Sequence, residues 1–216
     1  MGGIAHYLEE AALVARAMDP VIIRQVSDVL LAALREGRHV FLFGNGGSAA
    51  TASHFAVDLG KGLQAHDGRR LKALALTDAV PVMTAWANDT DYSRIFSEQL
   101  ANFACPGDVA IAISGSGSSP NVLKGVRTAI EKGALTIGFT GDMGGKLREM
   151  VDLCVVVPSN NMQHIEDCHM IVAHVIYTDL RERLAVEGRA ASARRSVAFE
   201  PGAAIPPPAP DSPPVS

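Results

Sequence analysis

Cysteine is scarce in this chain of 216 residues: Cys105, Cys154 and Cys168 form an odd set with no C-x-x-C spacing. That excludes a disulfide framework and a zinc finger, and the apolar or helical setting of each thiol suits a reduced, cytosolic protein. Basic clusters are missing too. With a formal charge of −4 and no run of Lys or Arg longer than a pair such as Arg194-Arg195, nothing favours general nucleic-acid or membrane binding. No apolar run reaches the roughly 18 residues of a membrane span, and the N-terminus lacks the basic start and apolar core of a secretory leader. The expectation is a cytoplasmic protein whose partners are small ligands or other proteins.

Apolar residues are plentiful, 48% of the chain, enough for one domain with a sizeable core. Their helical spacing over 4–17 and 21–34 predicts an N-terminal helical pair broken at Asp19-Pro20. Short β-rich runs follow at 39–43, 72–76, 108–113, 135–139 and 153–157, alternating with helical stretches near 48–59, 79–101, 119–132 and 162–187. Such alternation predicts an α/β fold, a parallel sheet covered by helices. Strands as uniformly apolar as Val109 to Ile113 fit burial on both faces. The domain is expected over residues 1–187. From 188 to 216 the composition turns to Ala, Arg, Pro and Ser, ending in Pro206-Pro207-Pro208 and Pro213-Pro214. That segment reads as a disordered, non-catalytic tail or as a partner-binding segment.

Two strand ends run into glycine and serine turns. His39-Val40-Phe41-Leu42-Phe43 leads to Gly44-Asn45-Gly46-Gly47-Ser48 and then a helix-like segment; Val109 to Ile113 leads to Ser114-Gly115-Ser116-Gly117-Ser118-Ser119-Pro120. A strand that breaks into glycines and restarts as a helix leaves backbone N–H groups unpaired, and these favour an anion such as a sugar phosphate. Four serines within six residues add hydroxyls to the second turn. Both turns lie where parallel sheets bind ligands, at strand carboxyl ends. Gly44-x-Gly46-x-x-Ala49 fits the loose dinucleotide pattern, but Asp78, the acid ending the next strand, lies far beyond the roughly 20-residue spacing for a ribose contact. The Lys-Ser or Lys-Thr of a nucleoside-triphosphate loop is absent as well.

Chemistry-bearing side chains accompany the turns. His54 and Asp58, spaced i, i+4, share one face of the helix that begins at the first turn, and Glu166 and His174, eight residues apart, reach one side of the last predicted helix. His169 reads as a support or interface residue, Trp86 and Phe96 as core or interface, and His6, His39, His66 and His164 show no partner in sequence.

The strings GNGGSAATASHFAVDLGKG, TAWANDTDYSRIFSEQL, AISGSGSSPNVLKGV and IEDCHMIVAHVI, in that order and spacing, resemble the sugar isomerase (SIS) domain of bacterial phosphoheptose isomerases over roughly residues 3–187. The resemblance implies a five-stranded parallel sheet of doubly wound, flavodoxin-like type and a homotetramer with active sites between subunits. It also implies conversion of sedoheptulose 7-phosphate to D-glycero-D-manno-heptose 7-phosphate. The family includes a non-catalytic branch of replication-initiator-associating proteins, so a scaffold or a sugar-phosphate sensor is the alternative.

Aldose–ketose interconversion moves a proton between adjacent carbons through an enediol, and needs a base, an acid or metal at the carbonyl oxygen, and a phosphate anchor. The two turns offer Asn45, Gly46, Gly47 and Ser48, and Ser114, Gly115, Ser116 and Ser119, as phosphate and sugar contacts; the resemblance adds Asn88, Asp89 and Glu166. By the same resemblance His54, Asp58, Glu166 and His174 match the ligands of a divalent metal, commonly zinc, with Asp58 and His174 also matching the catalytic base and acid. Two positions depart from the family. Asp58 stands where glutamate is usual, one methylene shorter, and Glu166 where glutamine is usual, adding a charge that tightens metal binding or makes Glu166 itself a proton acceptor. Gln163 stands where aspartate is frequent.

Overall fold

Two helices lead the chain in the computed structural model, which describes residues 3–142 and 144–198. They are α1 (Ile4–Ala17) and α2 (Pro20–Glu36). The Asp19-Pro20 break works as a helix start: Asp19 accepts a hydrogen bond from the Val21 amide at 2.8 Å, and Pro20 occupies a first-turn position that needs no donor. Gly37, at φ 68°, closes α2 in the left-handed conformation.

Five strands follow, β1 (His39–Gly44), β2 (Lys72–Ala75), β3 (Val109–Ile113), β4 (Leu135–Thr140) and β5 (Leu153–Val156). All pair in parallel, in the order β2-β1-β3-β4-β5. This is the doubly wound, flavodoxin-like order, whose switch point lies between β1 and β3. There Gly44 pairs with Ile113, so the two glycine and serine turns leave the sheet side by side.

Between the strands run α3 (Gly47–Gly62), α4 (Val80–Asp89), α5 (Ser97–Phe103), α6 (Pro120–Glu131) and α7 (Gly145–Met150); α8 (Met162–Ala198) closes the described chain. Three features differ from the sequence expectation. The stretch 79–101 is not one helix: Asp91 turns extended at φ −158°, its carboxylate accepts the Ser93 amide at 2.8 Å, and a short turn separates α4 from α5. The six-residue α7 was not expected, because it opens on Gly144 and Gly145, which the sequence pattern reads as loop. Finally, α8 continues unbroken past 187 to Ala198, since Gly188 is one weak position among strong helix formers such as Ala190, Ala191 and Arg189. The expected domain boundary at 187 therefore cuts a continuous helix, and the proline-rich remainder, 199–216, lies outside the described residues.

Strand alternation builds a core on each face of the sheet. Val40 and Leu42 of β1 with Val109, Ile111 and Ile113 of β3 meet α2, α3 and α8, while Phe41, Phe43, Ala110 and Ala112 meet α5, α6 and α7. The small alanines make room for Phe43 and Phe96, whose rings lie 5.2 Å apart. Each such buried large side chain contributes about 1.5–3 kcal/mol of transfer free energy. Of the expected core aromatics, Phe96 is fully buried and Trp86 packs against this layer only in part. Among the described residues no helix is long and apolar enough to cross a membrane.

One histidine gives this core a pH dependence. His169 of α8 is fully buried beside Phe139, donates from Nε2 to the Thr140 carbonyl at 3.3 Å, and leaves Nδ1 without a partner among the described residues. Burial pushes its pKa down to about 4, opposed by the bond to Thr140. Below the ordinary histidine range of about 6.5 the unfolded chain binds a proton that the folded chain refuses. Its stabilising contribution is thus complete above pH 6.5 and lost as pH falls toward 4. We expect wild type to lose about 2 kcal/mol more stability than His169→Gln between pH 7 and pH 5, measured by urea unfolding; parallel losses would show that His169 is not the titrating group.

Candidate active site

The first turn is shaped by glycines. Gly46 sits at φ 55°, ψ −123°, a region L side chains avoid, and a methyl group on Gly44 would meet the Ile113 carbonyl oxygen at 2.6 Å. The chain reverses in this small space and starts α3 with the buried Ser48 in its first turn. In the second turn, Gly117 at φ 60° folds back so that its amide donates to the Ser114 carbonyl at 2.9 Å. The Ser114 hydroxyl then lies 3.5 Å from that of Ser116 and 3.4 Å from that of Ser119, just ahead of the first turn of α6. The unexpected α7 supports this turn from below, with the Leu147 amide donating to the Gly117 carbonyl at 2.9 Å.

Together the turns enclose a cavity of about 150 Å³ lined by Asn45, Ser48, Ile113, Ser114, Gly115, Ser116, Ser119, Met162 and Glu166. Among the described residues its lining holds no lysine or arginine, so its attraction for an anion comes from hydroxyls, amides and two helix N-termini. Glu166, on the first turns of α8, carries the one carboxylate. Its side chain lies over Gly47, where a methyl group would meet Glu166 Cδ at 2.6 Å.

A second cluster lies farther along the same two helices. His54 Nε2 is 3.0 Å from His174 Nε2 and 3.4 Å from Asp58 Oδ2, and His174 Nε2 is 4.0 Å from Asp58 Oδ2. Ligand atoms of these three residues all lie within 4.8 Å of one another. The edges of a tetrahedral zinc site with bonds of 2.0–2.1 Å are about 3.3 Å, so two imidazoles and a carboxylate at these separations fit such an ion and leave a position open. Half of each histidine side chain is exposed, which keeps that position reachable.

Glu166, expected as a fourth ligand, is not gathered with these three. Eight residues of helix separate it from His174 by about 12 Å along the axis, which places it at the cavity and His174 at the cluster. Asn88 and Asp89, expected to contact sugar, pair with each other at 2.8 Å on the exposed end of α4 and do not line the cavity. Gly46 and Gly47, expected as phosphate or sugar contacts, lie in the first turn beside the cavity and are not among its lining residues. Two residues went unnoticed in the sequence. Asn121, 2% exposed, exchanges two hydrogen bonds with Asn45, and Tyr92 donates to the same Asn45. An amide directly after Ser119-Pro120 was the available signal for Asn121; none pointed to Tyr92.

Comparison with known proteins joins this geometry to a family. The family model described as the SIS domain matches residues 6–141. The chain belongs to the SIS-domain family. Within it, the chain is similar to the phosphoheptose isomerase of Aquifex aeolicus, 42% identical over 170 residues that cover 77% of this chain and 88% of that protein. The solved phosphoheptose isomerase GmhA from Neisseria gonorrhoeae superposes with a TM-score of 0.75 at 31% identity, covering 82% of this chain and 95% of that one. A phosphoheptose isomerase structure from Francisella tularensis gives a TM-score of 0.77 at 31% identity over 83% and 96% of the two chains. This SIS-family chain is thus matched along nearly the whole length of enzymes named for one isomerisation.

Proposed function

We propose that the chain is a phosphoheptose isomerase that interconverts sedoheptulose 7-phosphate and D-glycero-D-manno-heptose 7-phosphate in the cytoplasm. The observation that carries this reading is the pairing of an anion cavity with a two-histidine, one-carboxylate cluster on the same two helices. From Gly47 to His54 along α3 is about 10 Å, and from Glu166 to His174 along α8 about 12 Å. A seven-carbon sugar with phosphate on its last carbon spans such a gap to present its first two carbons to the cluster. A triose phosphate does not. A scaffold has no use for the cluster, which disfavours the non-catalytic alternative.

In this reading Ser114, Ser116 and Ser119 hold the phosphate with the amides of the second turn, and Asn45, Ser48 and the first turn hold the neighbouring sugar oxygens. Asp58 uses its second oxygen to take the proton from the first carbon of the ketose, forming the enediol, and the proton is returned to the second carbon. His174 donates to and takes back the proton of the shifting carbonyl oxygen, so the reaction is redox-neutral and nothing is consumed. His54, Asp58 and His174 would hold a divalent ion, zinc by the donor set, which when bound would supply positive charge at a carbonyl oxygen. Asn88 and Asp89 remain assigned to the sugar, reaching it at a boundary between subunits.

The anchor assignment is tested by Ser116→Ala, which deletes one hydroxyl and leaves the glycine-shaped backbone in place. We expect about tenfold weaker binding of sedoheptulose 7-phosphate by calorimetry, with conversion by the wild type followed by NMR. Unaltered affinity in this variant removes the anchor, and no conversion by wild type removes the isomerase.

We further propose a homotetramer. Helix α1 buries none of its residues, and Ile4, Leu8 and Leu13 are 62–85% exposed. Tyr7 of α1 nevertheless fastens the helix to α8, donating to Asp167 at 2.6 Å, a bond that raises the phenol pKa to about 12. Ile4 and Leu8, one turn apart on the same exposed face of a helix held in a fixed place, await a second surface. Light scattering at micromolar concentration is expected to give four times the 22.7 kDa chain mass; a monomer would refute this assembly.

A further inference from the structure

The amide of Asn121 is tied to the chain in a way that leaves it only one orientation. Its Oδ1 accepts the Val122 backbone N–H at 3.0 Å, and a backbone amide can only donate. The Asn121 oxygen is therefore on that side and its nitrogen on the other. That nitrogen donates to Asn45 Oδ1 at 2.8 Å, while Asn45 Nδ2 donates back to Asn121 Oδ1 at 2.9 Å. The Tyr92 hydroxyl donates to the same Asn45 Oδ1 at 3.2 Å. Both lone pairs of the Asn45 oxygen are then occupied, and of the whole Asn45 side chain one N–H is left over, beside the cavity that Asn45 lines.

We propose that Asn121 is a positioning residue for the reaction: its paired hydrogen bonds lock the Asn45 amide so that only an N–H faces the bound sugar phosphate. Tyr92 holds the same orientation from the exposed side. The inference rests on the isomerase reading above and adds to it a polarity for one subsite. The ligand atom met by Asn45 is an acceptor oxygen. The orientation originates in the Val122 amide, in the first turn of α6 behind the second turn, so one buried side chain sets the geometry of the first turn from the backbone of the second. Left free, the Asn45 amide can rotate by half a turn and offer an oxygen to an oxygen, which repels the ligand.

A double-mutant cycle separates positioning from support. Asn121→Leu keeps the branched shape with two bulkier methyl groups and removes the lock. We expect its kcat/KM for sedoheptulose 7-phosphate to fall about 10- to 100-fold in the wild-type background and to change less than twofold in an Asn45→Ala background. The accompanying drop in melting temperature should be larger in the wild-type background, where the two hydrogen bonds to Asn45 are lost as well, than in Asn45→Ala, where only the tie to Val122 remains to be lost. An equal kcat/KM loss in the two backgrounds overturns the proposal, since a structural role does not depend on Asn45. Tyr92→Phe, an exposed change that folds regardless, supports a second cycle in which its smaller loss must likewise vanish with Asn45→Ala. Wild type that binds the sugar phosphate by calorimetry without turning it over removes the isomerase reading alone, and both cycles are then read on Kd with the same expected pattern. Wild type that neither binds nor turns it over removes both.

Discussion

His174→Ala is expected to reduce turnover of sedoheptulose 7-phosphate by at least about 100-fold. The residue holds two roles in the proposed chemistry, as one of three converging ligand atoms and as the proton donor to the carbonyl oxygen. Its side chain is 52% exposed, so the substitution leaves the core intact and the loss is not a folding defect. Elemental analysis of the same variant should show reduced metal. Full activity together with unchanged metal content would eliminate both roles and move the proton transfer to another group of the site. Glu166→Gln belongs in the same experiment. Because the Glu166 carboxylate lies in the anion cavity and outside the cluster, metal content should hold while KM falls about fivefold, the effect of removing about 1 kcal/mol of like-charge repulsion from the phosphate. Metal loss in Glu166→Gln would restore it to the ligand set.

Gly117→Ala should be the most damaging single methyl group in the site. The backbone is at φ 60°, and the added Cβ would collide with the Gly144 carbonyl, whose carbon lies 2.6 Å away. Both partners are main chain, so neither can turn aside. We expect a loss of about 3 kcal/mol, which for a domain of this size lowers the melting temperature by about 6–12 °C, and phosphate binding too weak to measure by calorimetry. Gly37→Ala is the internal control. It has nearly the same φ, 68°, but open space around its Cβ, so only the backbone cost of about 1 kcal/mol remains. Equal melting temperatures for the two variants would show that the contact with Gly144 does not shape the second turn.

The cluster of His54, Asp58 and His174 and the serine-lined cavity were legible to different depths. A turn is local: Gly44 to Ser48 and Ser114 to Ser119 each contain, within a few adjacent positions, the strand end, the glycine conformations and the helix start that make an anion site. The pair His54 and Asp58 is also local, since four residues of helix return to one face. The expectation that Glu166 joins the metal ligands came from the family resemblance; it shares a helix side with His174, but the structure places the two carboxylate and imidazole groups at different depths along α8. A periodic pattern specifies a direction around a helix and says nothing of which objects stand opposite each level.

The chain's own order of residues determined the alternation of strands and helices, the caps at Asp19 and Gly37, the two glycine and serine turns and the i, i+4 pair of His54 and Asp58, because each rests on backbone conformation or on neighbours within one helical turn. Tertiary structure alone decided the rest. His54 and His174 are 120 positions apart, and Asn45 meets Asn121 across 76 and Tyr92 across 47. These meetings exist because β1 and β3 pair at the centre of the sheet and α8 returns across α3. The run of α8 through Gly188 and the break of 79–101 at Asp91 follow from neighbouring residues, whereas the same long-range packing ties α7 beneath the second turn. Such contacts draw their free energy from buried surface shared between distant segments, a quantity that no local window of residues contains.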